Sequence, residues 1–340
     1  MRLTREALIK VARDAAEQRT RVSRRIICIY LTGSVLSADP LLGGTTDIDL
    51  IFVHDSDPAQ PREVVRVTDE VHLDISHYPQ STFHHPRHLR TDPWLGPFIY
   101  AKPLVLHDTQ HWFDFLQAAT GAQFYQPDYT LQRARALAQS ARQEWMTLAE
   151  IQSAAAQPQR VRTYLRALED AGNAIASLSG APLTERRFFV LFPQRAQAIQ
   201  RPEISARLVA MLSGSGVQLD SLWEGWVQSW KEGLEAAGQQ DNPPPEVQGA
   251  RRLYYERAAA ALWQEHPIAA LWIMLKSWTA AALLFASDSP QIEAWRRACQ
   301  ALQLDEDHFP NRVMELDQFL DTVEETLDVW GQRYGIPNII

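Results

Sequence analysis

The run Asp47-Ile48-Asp49-Leu50-Ile51-Phe52-Val53 constrains this chain more than any other segment. It is β-rich, and strand side chains alternate between faces with period two. In a strand, Asp47 and Asp49 therefore share one face while Ile48 and Leu50 take the other. Two carboxylates side by side on a rigid strand repel, and a hard, oxygen-seeking cation such as Mg²⁺ answers that repulsion. Upstream, a second apolar run, Ile26-Ile27-Cys28-Ile29-Tyr30-Leu31-Thr32, stops at Gly33-Ser34. A strand that ends on Gly-Ser and turns into a helix aims backbone N–H groups at an anion, and the serine hydroxyl adds a donor. A cation beside an anion-binding turn suggests nucleotide chemistry.

Gly33-Ser34, a twelve-residue spacer and Asp47-Ile48-Asp49 together resemble the signature of the polymerase-β-like nucleotidyltransferase superfamily. The glycines in Leu42-Gly43-Gly44-Thr45-Thr46-Asp47 also suit the loop that such enzymes place before the acidic pair. The resemblance implies transfer of a nucleoside monophosphate from an NTP, with ATP as the expected co-substrate, to a hydroxyl group, releasing pyrophosphate. It implies that Gly33 and Ser34 hold the triphosphate, that Asp47 and Asp49 bind metal (two Mg²⁺ ions), and that a third carboxylate lies on a neighbouring strand.

That third carboxylate can be sought in the residues themselves. Glu63-Val64-Val65-Arg66-Val67 and Val71-His72-Leu73-Asp74-Ile75-Ser76-His77-Tyr78 are both β-rich and are joined by the polar turn Thr68-Asp69-Glu70, which predicts a hairpin. In the second arm His72, Asp74 and Ser76 share a face opposite Val71, Leu73 and Ile75. An aspartate inside a strand runs against β propensity. Asp74 is the expected third metal ligand, and His72 and Ser76 are placed to orient it by hydrogen bonding. A solvated polar face on an edge strand is the alternative.

Composition sets outer bounds. The 340 residues are enough for two domains, and 46% hydrophobic with 22% charged residues describes a globular chain. The two cysteines, Cys28 and Cys299, lie far apart in sequence, so a disulfide framework is not expected and a reducing, cytoplasmic location is. The first residues, Met1-Arg2-Leu3-Thr4-Arg5, are charged and show no apolar secretory stretch. The alanine-rich segment 268–286 approaches the length of a bilayer span, but Lys276 sits at its centre, and a buried helix is expected there. A net charge of −8 argues against a polynucleotide partner, since phosphate neutralisation by basic residues supplies much of such binding. The local cluster Arg19, Arg21, Arg24 and Arg25 faces solvent or steers triphosphate.

The expected fold class is α+β: a nucleotidyltransferase domain over residues 1–125 with a mixed sheet, then an all-α domain over 126–340. A leading helix is expected over 1–20, a last strand near Lys102–Asp108, and a boundary at Gln126-Pro127-Asp128 with Asp128 as helix N-cap. The proline-rich run 238–246 must be a loop. Pro86 interrupts the histidine group His84, His85 and His88, which reads as a surface loop rather than a metal site. Trp223, Trp226 and Trp230 form a helical stripe expected in a core or interface. By resemblance to aminoglycoside nucleotidyltransferases, the helical domain closes over the nucleotide. Arg186 and Arg187 then reach the triphosphate, and Glu169 or Asp170 touches the acceptor; surface charges are the alternative reading for all four.

The expected partners are thus an NTP and a hydroxyl-bearing acceptor, a small molecule ahead of a protein, with no membrane. Two alternatives stay open: a tRNA-directed nucleotidyltransferase, and a non-catalytic nucleotide-binding regulator or antitoxin-like module.

Overall fold

The structure, a computed structural model, describes residues 3–109, 111–150, 157–213 and 219–337, so the charged start Met1-Arg2 lies outside it. The chain divides into two compact units, residues 1–124 and 125–340. The first holds a five-stranded sheet, and the described part of the second is helical with no strand, which makes the chain α+β.

In the first unit, helix α1 spans Arg5–Val22 rather than the expected 1–20. It starts there because the Thr4 side chain accepts a hydrogen bond from the Ala7 N–H, a cap that contributes about 1 kcal/mol. Leu8, Ala12 and Ala16 recur every fourth residue, forming the single buried stripe. The strands are β1 (Ile26–Thr32), β2 (Thr46–His54), β3 (Arg62–Arg66), β4 (Val71–Pro79) and β5 (Leu104–Asp108), in the order β3-β4-β2-β1-β5. Strand β2 runs parallel to β4, and every other pair is antiparallel. The β3–β4 hairpin forms as its sequence predicts, closed by the N–H groups of Val67 and Thr68 on the Val71 carbonyl.

The alternation of each strand then decides the two faces. Ile29, Leu31, Ile48, Leu50, Phe52, Leu73 and Ile75 pack with the α1 stripe in one core. On the opposite face Cys28, Tyr30 and Val53 pack with Phe83, Leu89, Ile99, Phe113 and Leu116. Those partners come from helices α2 (Pro86–Thr91), α3 (Leu95–Tyr100) and α4 (Trp112–Gly121), plus the turn at Phe83. Pro86 opens α2 instead of breaking a loop, because proline is pre-organised for the first helical position. His84, His85 and His88 remain exposed around it. This second face is therefore apolar at one end of the strands and acidic at the other, where Asp47, Asp49 and Asp74 lie.

The second unit contains α5 (Pro127–Glu150), α6 (Gln157–Ser177), α7 (Phe188–Ala198), α8 (Glu203–Ser213), α9 (Leu219–Gly238), α10 (Arg252–Leu262), α11 (Pro267–Ala282), α12 (Pro290–Ala301) and α13 (Phe309–Arg333). Pro127 takes the first position of α5, so Asp128 lies in the first turn and is not the cap. Its charge still favours the positive end of the helix. Arg142 ties α5 to α13 through Asp317, Asp321 and Glu324. Helix α9 ends at Gly238, where the proline-rich loop begins. Trp226 and Trp230 are buried on it, with the Trp230 indole N–H donating to Ser277 at 3.0 Å, while Trp223 stacks on Trp263.

Helix α11 is buried along most of its length. Its Lys276 pairs with Glu169 at 2.8 Å and Glu185 at 3.6 Å. Burial disfavours the ammonium, but the two carboxylates outweigh it and raise its pKa. Among the described residues no helix is long and apolar enough to cross a membrane.

Candidate functional site

The acidic end of the sheet is built by register. Antiparallel pairing sets Thr32 of β1 opposite Asp49, and parallel pairing sets Asp47 beside His72 and Asp49 beside Asp74. The side chains of these residues project from one face of three adjacent strands, which lie about 4.8 Å apart. Asp47, His72 and Asp74 are all buried, and one donor atom from each lies within 4.8 Å of the others. At that separation two carboxylates repel by about 3.5 kcal/mol with an effective dielectric constant near 20. Such a cluster needs positive charge close by.

Arg62 supplies it. From β3 its Nε donates to Asp74 Oδ1 at 2.7 Å and its Nη2 to Asp74 Oδ2 at 2.5 Å, a two-pronged pairing of planar fork and carboxylate. The Arg62 side chain is 36% exposed and that of Asp74 only 6%, so the guanidinium meets the buried carboxylate from the more exposed side of the pair. The strand pattern carried this signal: Arg62 sits opposite Ser76 and Val64 opposite Asp74, which puts Arg62 one diagonal step from Asp74 on its face. Sequence reading passed over it because an arginine at the edge of a hairpin has no distinguishing mark until the register is known.

Asp49 behaves differently from its neighbour. It is half-buried and is not among the three converging donors. Its carboxylate lies against Gly33, so close that a Cβ built on Gly33 would stand 1.8 Å from Asp49 Oδ2. Gly33 also has φ 77° and ψ −158°, a region essentially reserved for glycine. His72, expected only to orient Asp74, instead stands within the converging set.

After Gly33 the chain makes one 3₁₀ turn, Ser34–Leu36, and not the helix expected there. A three-residue turn carries no helix macrodipole, so any anion held here rests on individual donors. The Ser34 hydroxyl is 3.4 Å from that of Thr46, which precedes the acidic pair. Gly43 and Gly44 approach Asp47 with positive φ of 61° and 73°.

Arg186, Arg187, Glu169 and Asp170 all belong to the second unit. Arg186 lies in the helical unit, buried, its guanidinium carbon 3.5 Å from the centre of the Tyr254 ring. The alternative reading of an exposed surface charge does not describe such a packed guanidinium. Arg187 is half-buried in the same 3₁₀ turn. Glu169 pairs with Lys276, and Asp170 accepts from the Ser140 hydroxyl at 2.7 Å, so both belong to the internal polar network of the helical unit. Burial pushes the Asp170 carboxyl up to about 6, against the lowering effect of Ser140. In the arginine cluster, Arg19 pairs with Glu63, Arg21 with Glu17 and Arg25 with Asp55.

The cluster fits a divalent cation in both donor type and spacing. Two carboxylates suit Mg²⁺, and the imidazole of His72 extends the choice to Mn²⁺. No family profile matches this chain, and no curated protein matches it significantly.

Proposed function

We propose that this protein is a metal-dependent nucleotidyltransferase whose first unit adopts a nucleotidyltransferase fold and carries the reacting centre. The observation that supports this most is the convergence of Asp47, His72 and Asp74 within 4.8 Å on adjacent strands, next to the Gly33-Ser34 turn.

Asp47, Asp74 and His72 would hold the divalent cation, with Asp49 beside them on β2. A cation bound there supplies Lewis-acid polarisation of the phosphate oxygens and lowers the pKa of a coordinated hydroxyl. Gly33 and the Ser34 hydroxyl would receive the β- and γ-phosphates. The acceptor oxygen attacks the α-phosphorus in line; the new O–Pα bond forms as the bond from Pα to the bridging oxygen of the β-phosphate breaks. Pyrophosphate takes that electron pair, and the acceptor proton passes to a carboxylate, with Asp74 the best placed, or to water. Arg62, now paired with Asp74, would have to release that carboxylate for it to serve as a metal ligand. The acidic balance of the chain, −8 overall, favours a small hydroxyl-bearing acceptor over RNA.

Calorimetry with ATP, with and without Mg²⁺, tests the reading, alongside a screen of mass-tagged NTPs against acceptor pools. Nucleotide affinity should depend strongly on Mg²⁺ in wild type and weakly in Asp47→Ala. Asp74→Asn should keep its fold and part of its nucleotide affinity while the transfer rate drops by roughly 10²-fold or more. Equal ATP affinity in wild type and Asp47→Ala, with or without Mg²⁺, sinks the metal assignment. Metal-dependent ATP binding with no transfer to any acceptor pool would favour a nucleotide-binding regulator.

A further inference from the structure

At the other end of the same strands, and on the opposite face of the sheet, a second group of donors meets. His54 closes β2 and His77 lies in β4, on the face covered by α1. His54 Nε2 and His77 Nδ1 are 2.9 Å apart, and their rings are tilted by 38° with centroids at 5.1 Å. The other nitrogen of His77, Nε2, is 3.2 Å from Glu63 Oε1, and Glu63 is in turn paired with Arg19 of α1 at 3.0 Å. Both histidines line a cleft of about 260 Å³ together with Arg25, Ser56, Asp57 and Gln60.

The chain of bonds fixes the tautomers. A carboxylate only accepts, so His77 carries its proton on Nε2 and donates to Glu63, which leaves the Nδ1 lone pair facing His54. His54 then donates from Nε2 to that lone pair. A carboxylate behind one imidazole nitrogen, with the other nitrogen left basic, is the arrangement that orients histidine for a metal. Both rings favour the neutral form that ligation requires. Burial lowers the pKa of His54 with His77 adding to it, and burial lowers that of His77 against the opposing pull of Glu63. Two imidazole nitrogens on one tetrahedral Zn²⁺, each at 2.0–2.1 Å, stand roughly 3.3 Å apart. The observed spacing reaches that value with a shift of a few tenths of an ångström.

We propose that His54 Nε2 and His77 Nδ1 form a binding site for a borderline d-block cation of the Zn²⁺ type, open to the cleft and distinct from the acidic cluster. Binding moves the His54 proton from Nε2 to Nδ1 through solvent, with no net proton release. Water fills the remaining positions, and Asp57 on the cleft wall is within the same lining. Arg25 pairs with Asp55 at 3.2 Å, and at His54 the Asp55 carboxylate opposes its positive charge. The donor sets differ: the cleft pair offers imidazole nitrogens, which suit Zn²⁺ or Cu²⁺, whereas the acidic cluster adds two carboxylates that also suit Mg²⁺ and Mn²⁺. Glu63 acts as a positioning residue through His77.

The test is a Zn²⁺ titration of the full chain against a chelating dye in excess Mg²⁺, with Co²⁺ visible absorption as a second readout. It is run on wild type, His54→Gln, His77→Gln and Asp47→Asn. One Zn²⁺ site should survive in Asp47→Asn and weaken at least tenfold in each histidine variant. Glu63→Gln should weaken it less. Wild type alone gives an independent readout: trace Cu²⁺ should broaden the ring resonances of His54 and His77 ahead of those of His84, His85 and His88. Zn²⁺ affinity unchanged by both histidine substitutions, or broadening confined to the exposed histidines, overturns the proposal.

Discussion

Gly33 carries the most specific mechanical prediction. Two separate constraints act on it: a backbone at φ 77° and ψ −158°, and the Asp49 carboxylate occupying the space a side chain would need. An alanine Cβ would lie 1.8 Å from Asp49 Oδ2 and 2.8 Å from Asp49 Cγ, so Asp49 would have to leave its position. The backbone conformation costs a non-glycine residue about 1–3 kcal/mol, and forced displacement of a packed neighbour adds about 1–3 kcal/mol. Gly33→Ala should therefore destabilise the first unit by roughly 2–6 kcal/mol. Gly44 is the matched control. Its φ is 73°, but nothing lies within 4 Å of its missing Cβ, so Gly44→Ala should cost only about 1–2 kcal/mol. Urea unfolding of both variants separates the two terms. A double variant, Gly33→Ala with Asp49→Ala, should recover most of the steric part, making the pair non-additive. Equal losses in Gly33→Ala and Gly44→Ala, or strict additivity in the double variant, would show that Asp49 does not occupy that space.

Two further outcomes follow from charge. Arg62→Ala removes the group paired with buried Asp74 and should lower stability by about 1–3 kcal/mol without metal, discounted because Arg62 is partly exposed. Added Mg²⁺ should raise the melting temperature of this variant more than that of wild type, because a cation then replaces the guanidinium; an equal rise in both refutes the substitution of one charge for the other. Asp170, pushed up to about 6 by burial, binds its proton more tightly when folded than when unfolded, where the value is near 3.9. It therefore contributes stability below pH 4 that is lost as pH rises towards and through 6, and Asp170→Asn should flatten that part of the pH–stability curve. A curve of unchanged slope in the variant would place Asp170 in contact with water.

The sequence alone determined the strands, the hairpin and the change from β-rich to helical chain, because these depend on local alternation, turn chemistry and helical spacing. It also marked Asp47, Asp49 and Asp74 as carboxylates on the unusual face of a strand, since period-two geometry follows from the backbone. Only the tertiary structure decided which of them converge. The parallel pairing of β2 with β4 brings Asp47 beside His72 and Asp49 beside Asp74, and the converging donors are those of Asp47, His72 and Asp74. Arg62 and the His54–His77–Glu63 chain were invisible for the same reason: each joins residues on different strands, and no local pattern encodes a register between strands. The buried place of Arg186 is a packing outcome, since a guanidinium on an aromatic ring gives up water only where the fold supplies that ring.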